Sequence, residues 1–303
     1  MRAWPLAAYA ALYLLALLAL TLLEGQSPVE PLFVLVTFGL GMSGLAWWAT
    51  RGLQPRRAPI RAPRRELQVT LAYLVALAAF ITWGLPGVRS TFPRGWPAEL
   101  AVLLAKVALF VLLPYLLWRR VFGYRTTELA DLPSGLTGHW RPTLILAAAV
   151  LGFQALFGRA HREWHTVAAG PTTVLLTAAA ALLWLILDVG IVEETPFRVL
   201  LQTRLAAATQ SEVAGVVGMA LTFGLAHAPG LYLRPELMGE AVGTHPSLLR
   251  AVSYSVTITS VSSFLYGVLW WRTRNLWVVA IVHAAQDWLP TLVDTLRSSV
   301  LGA

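Results

Sequence analysis

Cysteine is absent from the 303-residue chain, which excludes disulfide bonds, a thiol nucleophile and a metal site with cysteine ligands. Charged residues are also scarce, at 13% of the sequence against about 25% in typical soluble domains. Hydrophobic residues make up 57%. This balance excludes a disordered chain and does not fit a soluble enzyme of this size. The net charge of +8 does not indicate nucleic-acid binding, because the arginines stand between long apolar runs rather than in a patch on a polar surface.

Apolar runs dominate the chain, and a membrane-spanning helix needs about 20 such residues. The sequence therefore predicts an all-α, polytopic membrane protein with eight or nine transmembrane helices, the fifth being doubtful because it is short. We expect the first run to be a retained anchor, since no A-x-A-like cleavage site follows it. The predicted spans are Pro5–Leu23, Pro31–Ala49, Gln68–Leu85, Glu99–Trp118, Thr143–Phe157, Thr172–Val192, Val213–Ala228, Leu249–Trp271 and Asn275–Val293.

Arginine is unevenly distributed between the loops. The segment Arg51–Glu66 carries six arginines, whereas the turn Glu24–Glu30 carries none and has two glutamates. The positive-inside rule places the arginine-rich loop, and with it the N-terminus, in the cytoplasm. We expect an integral, multi-pass protein of a bacterial cytoplasmic membrane.

Ionisable residues divide the predicted spans into two regions. Residues 1–142 are expected to form an N-terminal region of about four helices, nearly free of ionisable groups. Its exception, Lys106, is expected to snorkel to the outer interface rather than pair with Asp188. Residues 143–303 are expected to form the catalytic core. Charged groups at bilayer depth cost roughly 2.5–3.5 kcal/mol each and are functional candidates by default. The core contains a set of them: Asp188, Glu193, Glu194, Arg198, His227, His283 and Asp287.

Two adjacent glutamates lie in the sixth span. On a helix, Glu194 has Arg198 four residues later and can form an ion pair with it. Glu193 has Phe197 at the same spacing, so no local cation neutralises it. We therefore predict that Glu194 and Arg198 are structural, and that Glu193 is a general base. Pro196 removes one backbone donor and is expected to distort the helix. The alternative is an exposed helix end at the interface.

His227 is related to Glu193 by a hairpin. The midpoint between the two residues is position 210, inside the polar turn Thr209–Glu212. If both arms are antiparallel helices, Glu193 and His227 stand at the same level, each about 25 Å from the bend.

The last span contributes His283 and Asp287, which share one helix face four residues apart. Three interpretations of the polar set remain open. Glu193, His227 and His283 could bind a divalent metal such as zinc. Alternatively, Glu193 and His227 could activate a water without metal, while His283 and Asp287 stabilise the developing oxyanion. The third alternative is a proton or ion path.

These residues fall into three motifs that follow one another on successive apolar helices: Glu193-Glu194-x-x-x-Arg198, Phe223-x-x-x-His227 and His283-x-x-x-Asp287. Together, within residues 172–290, they resemble the CPBP family, which comprises the CAAX prenyl endopeptidases and their bacterial Abi-like relatives. The third motif ends in Asp287 where the eukaryotic-type enzymes have asparagine.

The resemblance implies an all-helical intramembrane endopeptidase. It implies that Glu193 activates water with the help of His227, that His283 and Asp287 line the oxyanion side, and that Glu194 and Arg198 support the site. The family is often called metalloprotease, but we favour the metal-free mechanism. The expected partners are a peptide or membrane-protein substrate and the lipid bilayer, with no nucleic acid. The alternative function is a non-catalytic immunity or scaffold protein of the Abi type.

Overall fold

The computed structural model describes residues 4–54, 59–125, 128, 136–234 and 242–301. These residues form helices without any strand, and nine helices among them are long and apolar enough to cross a membrane. The prediction of an all-α polytopic protein is thus confirmed. Arg56 and Arg57 of the basic loop lie outside the described residues. The nine helices are α1 Trp4–Leu23, α2 Val29–Ala49, α3 Pro63–Ser90, α4 Trp96–Val121, α5 Trp140–Phe157, α6 Pro171–Thr209, α7 Glu212–Leu233, α8 Leu248–Thr273 and α9 Leu276–Leu301.

Every predicted span differs from its helix at one or both ends, and the largest difference is in α6. Helix α5, the span that the sequence left doubtful, is present. It begins at Trp140 rather than at Thr143, so the helix is three residues longer than predicted. Helix α6 does not stop at Val192: it runs for 39 residues to Thr209. Its polar second half stays helical because neighbouring helices bury it and supply partners for its charges.

Helices α7, α8 and α9 form the centre of the protein. In their apolar windows 44%, 61% and 50% of the residues are buried, against 17–22% in the other six candidate spans. Small residues allow the close approach of these helices. A Cβ on Gly224 of α7 would lie 2.5 Å from the carbonyl oxygen of Ser255 in α8, and one on Gly190 of α6 would lie 2.6 Å from that of Ala280 in α9.

Arginine-bearing loops and turns meet at one end of the helix bundle. Arg272, near the end of α8, donates to the carbonyl oxygen of Thr50 at the end of α2 over 3.1 Å. Arg274, in the turn between α8 and α9, forms an ion pair with Glu212 at the start of α7. We call this end, which carries the α2–α3 loop and the α6–α7 and α8–α9 turns, the basic end. The predicted placement of this end in the cytoplasm stays a prediction.

Buried polar contacts join the N-terminal helices to the C-terminal ones. Glu66 of α3 is fully buried and accepts hydrogen bonds from Tyr124 over 2.8 Å and from Arg204 of α6 over 3.2 Å. Tyr9 of α1 is hydrogen-bonded to Ser260 of α8 over 2.6 Å. Because a buried charge is costly without a partner, the Glu66–Arg204 pair fixes the start of α3 against α6.

The snorkelling predicted for Lys106 is wrong. Its Nζ lies 2.5 Å from a carboxylate oxygen of Asp188 and also donates to the Asp188 carbonyl oxygen over 3.1 Å. Lys106 stands ten residues after Trp96, the first residue of α4, so it is about 15 Å along the helix from that end. A partner across the helix interface is therefore closer than the membrane surface. Asp188 serves this ion pair between α4 and α6.

Candidate active site

The α6–α7 hairpin sets the level of the first two motifs. Gln210 takes the left-handed conformation at φ 54° between the two helices, and Ser211 caps α7 by accepting a hydrogen bond from the Ala214 amide. Phe197 packs on Phe223 with ring centroids 5.0 Å apart, and each stands 13 residues from Gln210. The arms are therefore in the register that the sequence predicts, in which Glu193 and His227 share a level one turn farther from the bend.

Glu194 and Arg198 form the buried ion pair that their spacing predicts. Arg198 Nε lies 3.0 Å from Glu194 Oε2, and neither side chain has any exposed surface. The backbone after Glu194 is π-helical from Thr195 to Gln202, and Pro196, which has no amide hydrogen to donate, is the second residue of this segment. An uncompensated charge at this position would be expensive, so each group makes burial of the other tolerable.

Aromatic rings and one hydroxyl complete the surroundings of Arg198. Its guanidinium carbon lies 4.5 Å from the ring centre of Phe223 and 5.4 Å from that of Tyr266. Its Nη2 donates to the Ser263 hydroxyl oxygen over 2.8 Å. Cation–π contacts of this kind stabilise a desolvated cation. Ser263 thus has a structural partner.

His283 is oriented by Glu194. Its Nδ1 donates to Glu194 Oε1 over 2.6 Å, so a single carboxylate holds both Arg198 and the imidazole of α9. Tyr266 stacks on the imidazole with ring centroids 4.4 Å apart and an interplanar angle of 27°. The Tyr266 hydroxyl donates to the Gln286 side-chain oxygen. These contacts fix the ring plane and point His283 Nε2 away from Glu194.

Asp287 lies on the Nε2 side of His283. Its nearer carboxylate oxygen is 3.9 Å from Nε2, which is too long for a hydrogen bond, and its side chain is 40% exposed. Asp287 interacts electrostatically with Glu193 and His227 as well as with His283. Asp287 is thus within electrostatic range of Glu193 and His227, while the close orienting partner of His283 is Glu194.

Glu193 and His227 retain free polar atoms. Glu193 is half-buried, and its carboxylate has no hydrogen bond or ion pair with any residue in the described parts of the chain. His227 is also half-buried, and its Nδ1 lies 2.8 Å from the carbonyl oxygen of Phe223. Because a carbonyl only accepts, Nδ1 carries the hydrogen and Nε2 of the neutral ring is an acceptor. A carboxylate and an imidazole nitrogen on facing helices are thus available to bind a substrate or a water.

A metal site requires several ligand side chains that converge on one point. Within the described residues, no group of three or more His, Asp or Glu side chains converges closely enough to hold a metal ion. Glu193, His227 and His283 are all described, so in this conformation they do not form a metal-binding set.

Sequence reasoning missed several residues that the fold brings to the site or near it. Tyr266 and Gln286 belong to the shell around His283 and Arg198. Their sequence context is that of ordinary apolar helix residues, so only the packing reveals them. The buried Arg204 was detectable, because it is an arginine six residues after Arg198 in a helix that the hairpin argument already extends to about Ala208.

Comparison with known proteins finds one family that matches the segment carrying these residues. Residues 175–289 match the family model described as type II CAAX prenyl endopeptidase Rce1-like. The matched segment covers a little over a third of the chain and includes all the candidate site residues. No curated protein and no solved structure is significantly similar to the chain. Over residues 175–289, the chain is therefore similar to the Rce1-like type II CAAX prenyl endopeptidases.

Proposed function

We propose that the protein is an intramembrane endopeptidase that hydrolyses a peptide bond near the bilayer surface with a water activated by Glu193 and His227. The observation that carries this proposal is the contrast between two neighbouring carboxylates. Glu194 is fully buried and holds Arg198 and His283, whereas Glu193 has no hydrogen-bonding partner among the described residues. A buried scaffold with one unpaired carboxylate at the level of a histidine is suited to proton transfer.

The first step places a water between the two free groups. Both Glu193 and neutral His227 Nε2 are acceptors, so the water donates one hydrogen to each and directs a lone pair at the substrate carbonyl. The carbon–oxygen bond forms while Glu193 takes the water proton. The electron pair of the carbonyl double bond moves to its oxygen, giving a tetrahedral oxyanion.

In this proposal, His283 and Asp287 stabilise that oxyanion. His283 Nδ1 is committed to Glu194, so Nε2 donates to the substrate when the ring is doubly protonated. A protonated Asp287 is the second available donor, and its exposed carboxyl reaches the same region. The carbon–nitrogen bond then breaks, and the proton held by Glu193 passes to the leaving amine.

The substrate class is a peptide or a membrane-protein segment. The family name refers to prenylated CAAX substrates, but no residue of this chain identifies a prenyl-binding requirement. Residues 1–142 serve, in this proposal, as a support for the catalytic core 143–303, through contacts such as Glu66–Arg204 and Lys106–Asp188. The protein would reside in a bacterial cytoplasmic membrane with its basic end inside.

The test compares protein termini in membranes of cells that express either the wild type or Glu193→Gln at equal levels. We expect new termini with the wild type alone, which would identify the substrate and the cleaved bond. Glu99→Gln is a matched control, because Glu99 is a glutamate outside the cluster that pairs with Arg89 at the surface. The same termini with Glu193→Gln as with the wild type would contradict the mechanism.

A metal requirement and a non-catalytic role are separated by further measurements. The metal-free mechanism predicts that purified enzyme keeps its activity after dialysis against a zinc chelator, and loss with recovery on adding zinc would overturn it. An immunity or scaffold protein of the Abi type would give a cellular phenotype that survives Glu193→Gln. We expect the phenotype to be lost in that variant.

A further inference from the structure

A cavity lies at the basic end, away from the candidate active site. Its volume is about 780 Å³. It is surrounded by the start of α3, the α6–α7 turn and Trp4, the first residue of α1. Its lining consists of Trp4, Ala62, Pro63, Arg64, Arg65, Ala207, Ala208, Thr209, Gln210, Ser211 and Ala214. None of these residues belongs to the Glu193–His227 cluster.

Two free positive charges line this cavity. Arg64 and Arg65 are both exposed, and neither forms an ion pair with any residue in the described ranges. Other arginines of the same end do have carboxylate partners, as Arg61 has in Glu128 and Arg204 in Glu66. No carboxylate lies among the lining residues. The cavity therefore has a net positive lining that no carboxylate among the described residues neutralises by an ion pair.

The other walls suit the region where lipid headgroups meet acyl chains. Trp4 is 61% exposed beside the arginines, and tryptophan is enriched at the membrane–water interface. Ala207, Ala208 and Ala214 give an apolar wall, and the side chains of Thr209 and Gln210 provide polar groups next to it. A ligand that fits has a compact anionic group joined to an apolar part.

We propose that this cavity binds the headgroup of an anionic phospholipid, with its phosphate between Arg64 and Arg65. Basic pockets between transmembrane helices on the cytoplasmic side are known sites for such headgroups. The volume is within the range of about 300–1,000 Å³ found for small-molecule sites. A bound lipid would connect α1, the start of α3 and the α6–α7 turn. The proposal does not depend on the catalytic mechanism.

The expected effect follows from the arginine charges. A basic side chain near an anionic membrane surface contributes about 1 kcal/mol, which corresponds to about a fivefold change in affinity. Removing both arginine charges should therefore weaken binding of the anionic lipid about 25-fold. Binding of a zwitterionic lipid should change little.

The experiment measures lipid retention by the purified full-length protein in detergent, using native mass spectrometry. The probes are dioleoylphosphatidylglycerol, dioleoylphosphatidylcholine and inorganic phosphate alone. The test variant is Arg64→Gln/Arg65→Gln. The matched control is Arg119→Gln/Arg120→Gln, which removes two exposed arginines at the end of α4 that do not line the cavity. Ala208→Phe narrows the cavity at its apolar wall while keeping both charges.

The proposal expects preferential retention of phosphatidylglycerol by the wild type and the control, with loss in both the charge-removal variant and Ala208→Phe. Equal loss in the Arg119/Arg120 control would mean that surface charge alone attracts the lipid, which would overturn a specific site. Tight binding of inorganic phosphate, with no added gain from the lipid, would overturn the assignment to a phospholipid. Retention that Ala208→Phe leaves unchanged would place the lipid elsewhere.

Discussion

The two adjacent glutamates should respond oppositely to the same chemical change. Glu194→Gln leaves Arg198 fully buried with a neutral amide in place of its counter-ion. Breaking a buried ion pair by removing one partner costs about 3–5 kcal/mol. For a chain of this size, we expect the melting temperature to fall by roughly 5–15 °C. Glu193→Gln changes a half-buried group without a hydrogen-bond partner, so the free energy of unfolding should change by less than about 0.5 kcal/mol.

The assay records melting of the purified protein in detergent by tryptophan fluorescence, together with cleavage of the substrate identified from the membrane termini. Glu193→Gln should melt as the wild type does while losing about 10²–10⁴-fold in cleavage rate, the usual contribution of a general base. Combining Glu194→Gln with Arg198→Met removes the unpaired charge and should recover most of the lost stability. A wild-type melting temperature for Glu194→Gln, or a larger decrease for Glu193→Gln, would refute the division of roles.

Three further variants test neighbouring parts of the structure. Asp287→Asn should keep cleavage activity and show a weaker decline toward alkaline pH, because an amide donates a hydrogen bond without needing a proton; a rate–pH profile that keeps the wild-type decline would contradict this. Tyr266→Phe should keep most activity, because the ring still stacks on His283. Tyr266→Leu removes the ring and should lower kcat more than tenfold. Equal rates in the two variants would show that stacking does not position His283. Lys106→Met should lower the melting temperature by leaving Asp188 unpaired, and the double change with Asp188→Leu should restore it; additive losses would argue against the pair.

The sequence is most informative where helix geometry alone determines the outcome. Spacing of four residues predicts the Glu194–Arg198 pair, and the midpoint at position 210 predicts the hairpin register, which the contact between Phe197 and Phe223 confirms. Both inferences use distances along one helix or across one tight turn. No knowledge of the rest of the bundle is needed for them.

Contacts between distant helices are harder to predict. Lys106 and Asp188 are 82 positions apart in the sequence, and Glu66 and Arg204 are 138 positions apart. Nothing in the local pattern of α4 indicates which polar group of another helix it faces, so the length of the lysine side chain and its closeness to Glu99 favoured snorkelling over pairing. Tyr266 escapes sequence reasoning for the same reason: its role depends on the ring of His283 from α9.

The pairing of two glutamates in one motif has a geometric reason. Adjacent helical residues point about 100° apart, so one carboxylate can face the protein interior while the next faces the open side. The interior carboxylate, Glu194, positions Arg198 and His283 with its two oxygens. Glu193 shares that rigid backbone but none of those contacts. The contacts of Glu194 therefore also fix the backbone position of Glu193. The proposed base is held at the level of His227 without a hydrogen bond of its own.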